Sequence, residues 1–93
     1  WNVTGTGNTY LGAGAGTGVS GQSNNNNTGV GVSALAGITT GEQNVAIGRQ
    51  AGIAITSGDD NIVIGKSVAT NLTTGTNNIA IGDFRNTKRS MIC

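Results

Sequence analysis

Apolar residues in this chain come in short packets separated by polar runs. The clearest packets are Val45-Ala46-Ile47, Ile62-Val63-Ile64 and Ile79-Ala80-Ile81, each preceded by Asn and followed by Gly. Three β-branched or small apolar residues between turn formers predict a short strand, since a helix needs a longer run with a different period. Side chains in a strand alternate between faces. Val45 and Ile47 therefore share one face, as do Ile62 and Ile64, and Ile79 and Ile81. The middle position is Tyr10, Gly29, Ala46, Val63 or Ala80 and points the other way. Its mostly small side chains imply close approach to other parts of the molecule.

The packets recur. The motifs are NTYLG from Asn8, NTGVG from Asn27, NVAIG from Asn44, NIVIG from Asn61 and NIAIG from Asn78. Their closing glycines are Gly12, Gly31, Gly48, Gly65 and Gly82; the last four are spaced by 17 residues and the first gap is 19. The two extra residues fall in the polar run around Asn24 to Asn27, where a loop would tolerate an insertion. Three residues after each motif Gly stand Ala15, Ala34, Ala51 and Val68. Seven after it stand Val19, Ile38, Ile55 and Leu72, and ten after it Gly41, Gly58 and Gly75, with Gly21 one place early in the first repeat. Thr40, Ser57 and Thr74 precede those second glycines, which reads as a turn.

A repeat of this size predicts about two short strands and two turns. It cannot bury its own apolar face and must stack on its neighbours. The expected architecture is all-β: a repetitive parallel β-roll or β-helix solenoid, advancing about 4.8 Å per coil. The Asn column at Asn8, Asn27, Asn44, Asn61 and Asn78 predicts a hydrogen-bonded ladder along the stack. The glycines mark points that need positive φ or an approach too close for a Cβ.

Composition alone points elsewhere. Gly, Asn, Thr and Ser supply 48 of 93 residues, a proportion usually associated with disorder. The repeat overrides that reading. It also leaves a thin core, and strands that are apolar at successive positions, such as Ile62-Val63-Ile64, want cover on both faces. One face can line the coil interior; the cheapest cover for the other is another copy of the chain. Five basic and four acidic residues nearly cancel, so neither nucleic acid nor anionic lipid is expected as a partner, and no apolar run is long enough to predict membrane insertion. Arg85, Lys88 and Arg89 make only the tail basic, and the single Cys93 forms no internal disulfide. The start at Trp1 and the abrupt end read as a piece of a longer protein, with 1–7 as an upstream connection, 8–83 as five repeats and 84–93 as a further connection or tail.

The motifs NVAIG, NIVIG and NIAIG, with the Thr-Thr-Gly turns between them, resemble repeats of bacteriophage tail fibres. They are also similar to head repeats of trimeric autotransporter adhesins, which have a shorter period. The resemblance spans Asn8 to Asp83. It implies a trimeric fibre, with the chain as partner of itself and of other fibre or virion proteins, located on the virion outside the cell. The alternative it implies is a head or stalk segment on a bacterial cell surface, binding host glycan or matrix. In the fibre reading, Val45, Ile47, Ile62, Ile64, Ile79, Ile81, Ile38, Ile55 and Leu72 supply core and trimer packing. Gly31, Gly48, Gly65, Gly82, Gly41, Gly58 and Gly75 supply the turns.

Little in the chain suggests catalysis, a cofactor or a metal. Gly16 to Gly21 satisfies GxGxxG with Glu42 downstream, but no helix-forming sequence follows, and glycine-rich repeats produce such matches by chance. Asp59-Asp60, the only acid pair, reads as a solvated turn. There is no His to act as a base. Trp1 and Tyr10 are candidates for stacking on a sugar, though packing against a segment upstream of this piece explains them better. Asn2, Asn26 and Asn71 form glycosylation sequons that matter only in a eukaryotic secretory host. Two functions remain: a structural shaft carrying a receptor-binding tip, favoured by the uniform repeat, and a binding surface for host glycan or ice on the polar rows.

Overall fold

The structure is a computed structural model that describes residues 5–18 and 22–82. Trp1, Asn2, Val19, Gly21 and the tail from Asp83 through Arg85, Lys88, Arg89 and Cys93 lie outside the described residues. The described chain is all-β and winds as a solenoid. Each coil contributes one three-residue strand: β1 (Thr9–Leu11), β2 (Thr28–Val30), β3 (Val45–Ile47), β4 (Ile62–Ile64) and β5 (Ile79–Ile81). They form one parallel sheet in chain order. The register is that of the repeat: Tyr10 pairs with Gly29, Gly29 with Ala46, Ala46 with Val63 and Val63 with Ala80.

One strand per coil forms, where two were expected. The return half of each coil carries residues in the left-handed region: Ser33 (φ 64°) and Leu35 (φ 54°), and one coil later Gln50 (φ 62°) and Gly52 (φ 60°). A chain that alternates hand in this way curls and cannot extend. Its amides still bond between coils, as Leu35 N–H donates to Ala51 O (3.1 Å), Gly37 N–H to Ile53 O (3.1 Å) and Thr39 N–H to Thr56 O (3.0 Å). The stack is thus continuous on both sides although the sheet is on one.

The interior holds the small middle residues of the strands, Ala46, Val63 and Ala80, against Ala34, Leu35, Ile38, Ala51, Ile55 and Val68. The first coil fills the same space differently. The Tyr10 ring occupies the interior where the third to fifth coils have Ala or Val, and it leans on Gly16 and on Gly29, the equivalent residue of the second coil. A Cβ on Gly16 would overlap the ring, and one on Gly29 would lie 3.1 Å from it.

Candidate interaction surface

Along one inner corner of the solenoid the asparagines form a fully buried column, Asn27, Asn44 and Asn61. Each side chain works in both directions. The Asn44 amide Nδ2 donates to Asn27 Oδ1 (3.1 Å) and to Gly58 O (2.9 Å). Its Oδ1 accepts from Asn61 N–H (3.0 Å) and Asn61 Nδ2 (3.0 Å). All four hydrogen-bonding positions of the amide are used, so a polar group sits in the core without a desolvation penalty. The column extends to Asn8, whose Oδ1 accepts from Asn27 N–H (2.9 Å), and to Asn78, whose N–H donates to Asn61 Oδ1 (3.0 Å).

The glycines divide into two kinds. Gly31, Gly48 and Gly65 have φ near 130° and also lie against the backbone of the next coil; a Cβ on Gly31 would come within 2.6 Å of the Gly48 carbonyl. Gly82 has φ 96°. Gly41 and Gly58 have no left-handed backbone, yet a Cβ on either would overlap the carbonyl oxygen of the next coil's glycine. A Cβ on Gly75 would meet the Asn78 amide at 2.7 Å. This second column is glycine because the Asn side chain must reach the glycine carbonyl, leaving no room for a methyl group.

The insertion between the first two coils is more than a loop. Asn24 is fully buried. Its Oδ1 accepts from the Tyr10 hydroxyl (2.8 Å) and Asn27 Nδ2 (3.2 Å), while its Nδ2 donates to Thr39 O (3.1 Å). Asn24 therefore adds a polar rung beside Asn27. Burial pushes the Tyr10 phenol above its ordinary value, and hydrogen bonding from the Asn27 side chain opposes that rise. With its ring in the interior, Tyr10 is not placed to stack on a sugar.

The residues expected to supply core and trimer packing separate into two groups. Ile38 and Ile55 are buried inside, and Leu72 packs against the core from a partly buried position. The strand residues flanking the small middle column point outward. Ile47, Ile62, Ile79 and Ile81 are 38–48% exposed, and Val45 and Ile64 are partly buried. With Leu11 (66% exposed) and Val30 they form two apolar columns along the outer face of the sheet, Leu11-Val30-Ile47-Ile64-Ile81 and Val45-Ile62-Ile79. Thr9 and Thr28 complete the second column, so this strip grows more apolar toward β5. The sequence placed these residues on one face; the structure places that face outside.

The remaining candidates fall on turns. Gly16 of the GxGxxG match ends a turn and Gly18 follows it, with φ 62° and 58°. Asp59 Oδ1 accepts from Glu42 N–H (2.8 Å) and Asp60 N–H donates to Glu42 O (3.0 Å), so the acid pair closes a corner. Thr40, Ser57 and Thr74 are exposed in one column. Among the described residues no group of three or more His, Cys, Asp or Glu side chains is placed to hold a metal ion, and no helix is long and apolar enough to cross a membrane. Comparison with protein-family models, with curated proteins and with solved structures found no match to this chain.

Proposed function

We propose that this chain is a shaft segment of a trimeric fibre, of the bacteriophage tail-fibre type its repeats resemble, holding a receptor-binding tip away from a particle. The observation that carries the reading is the outer apolar strip. Its large side chains recur on every described coil, while the interior of the solenoid is already filled by Ala, Val, Leu and Ile from the same chain. A row of that kind along a soluble solenoid is a surface for association. Each further copy of a repeated coil adds length along the stack. Copies packed through the strip would cover what one chain leaves open, and the tip would lie in another segment of the fibre.

The reading is tested by changing the length. Inserting two further copies of residues 44–60 should lengthen the particle by about 10 Å, two coils at one strand spacing each, with the mass still a multiple of the new chain. Small-angle X-ray scattering measures that change. A particle that widens or unfolds instead would count against a shaft, and saturable binding of a glycan by this chain alone would favour the adhesin alternative.

A further inference from the structure

The outer strip carries a large apolar residue on every coil but turns polar toward β1 at Thr28 and Thr9, and apolar contact alone is a weak guide to which way two copies point. Its margins are charged, and with opposite signs. Where the chain enters the strand, Glu42 precedes β3 and Asp59 precedes β4, with Asp60 beside it. Where the chain leaves, Arg49 follows β3 and Lys66 follows β4. Each of these two coils therefore carries an acid on one margin of the strip and a base on the other. The carboxylates are held in place: Glu42 Oε2 accepts from Asn25 Nδ2 (3.1 Å), and Asp59 Oδ1 from Glu42 N–H. Arg49 and Lys66 are exposed, and their side chains have no hydrogen bond or ion pair among the described residues.

We propose that copies of this chain associate in parallel and in register, with Arg49 and Lys66 of one copy paired to Glu42 and Asp59 of the next. The proposal rests on the shaft reading and adds the residues that set direction and alignment. Rotation about an axis along the solenoid brings the basic margin of each copy to the acidic margin of its neighbour, whether the ring has two members or three. Turning one copy end over end brings acid to acid and base to base. Alignment follows from the same residues. In register, both coils match; a slip of one coil leaves one pair, and a slip of two leaves none. Exposed pairs contribute little affinity, so their effect is on which arrangement wins, while the apolar strip holds the copies together.

Neutralisation tests this by sign. Glu42→Gln with Asp59→Asn keeps both acceptor oxygens that hold the corner, and Arg49→Gln with Lys66→Gln removes no described contact, so both doubly substituted chains should fold. Each should dissociate roughly threefold to thirtyfold more readily than the wild-type chain in sedimentation equilibrium at low salt. Raising the salt to about 0.5 M should weaken the wild-type assembly and leave the neutralised ones nearly unchanged. If neutralising either margin leaves association unchanged or tightens it, or if salt tightens the wild-type assembly, the parallel pairing is wrong although the copies associate. If the wild-type chain does not associate at all, the shaft reading fails and this proposal fails with it.

Discussion

Asn44 is the residue on which the interior depends most clearly, because its amide donates twice and accepts twice along the stack. Asn44→Asp is nearly the same shape but reverses half of that pattern. It removes both donors and turns a buried carboxylate toward Asn27 Oδ1 and Gly58 O. The expected cost is at least about 3 kcal/mol, read as a fall in the thermal midpoint by circular dichroism. A midpoint within a degree or two of wild type would show that the ladder is dispensable. Asn78, at the end of the column and exposed, should tolerate the same change far better.

Tyr10 gives a residue-scale prediction with a pH dependence. Its phenol is raised by burial, so the folded state keeps the proton at a pH where the unfolded state has lost it. Stability from this group is therefore full below the ordinary value of about 10 and is lost as pH rises through the raised folded value. Tyr10→Phe should remove that alkaline loss and cost about 1 kcal/mol at neutral pH, since Asn24 Oδ1 keeps its bond from Asn27. Denaturant melts at neutral and alkaline pH measure both; an unchanged alkaline slope in the variant would place the titration elsewhere.

At the scale of the element, the coil is shaped by a column with mixed occupants, Gly16, Leu35, Gly52 and Ala69, all in the left-handed region. Glycine takes this conformation freely, whereas a residue with a Cβ is strained by about 1–2 kcal/mol. Ala69→Gly should therefore raise stability by about 0.5–1 kcal/mol, a little less than the strain because glycine also loosens the unfolded chain. Gly52→Ala should lower it, as the new Cβ would also sit 3.0 Å from Ile55 Cδ1. Chemical denaturation of the pair measures both signs, and a destabilised Ala69→Gly variant would contradict the strain argument.

That column marks the limit of what the sequence made legible. The strand after each asparagine, the 17-residue frame, the stacked asparagines and the close-approach glycines were readable, because each recurs at a fixed place in the repeat. Leu35 and Ser33 were not, since nothing in a leucine or a serine announces positive φ. They take it because the coils above and below are already fixed, and backbone bonds such as Leu35 N–H to Ala51 O hold them there. For the same reason the second strand was expected where only a curl forms. Asn24 was hidden in a polar run, where its burial depends on Tyr10 reaching across from the first coil. The strip itself was legible as a face, but period-two alternation cannot tell inside from outside when both faces are apolar.

For the whole molecule, the decisive feature is that the strands turn their mostly small middle residues inward, against Leu35, Ile38 and Ile55, and their large flanking residues outward. Ile62→Asp with Ile79→Asp should separate the copies and leave the coil intact, since neither side chain belongs to the buried core. Circular dichroism would then keep its β-type signal while the mass falls to that of one chain. An inward-facing change such as Val63→Asp should instead abolish folding, as it puts an unpaired carboxylate among Leu, Ile and Val.

The central claim, that copies of this chain cover one another's outer strip, is tested most directly by the solution mass of the wild-type chain by light scattering. One chain has a mass of 9.2 kDa. The shaft reading predicts about three times that mass, stable on dilution into the low micromolar range. A folded particle with the mass of a single chain would contradict it, and would make the exposed strip a surface for some other partner.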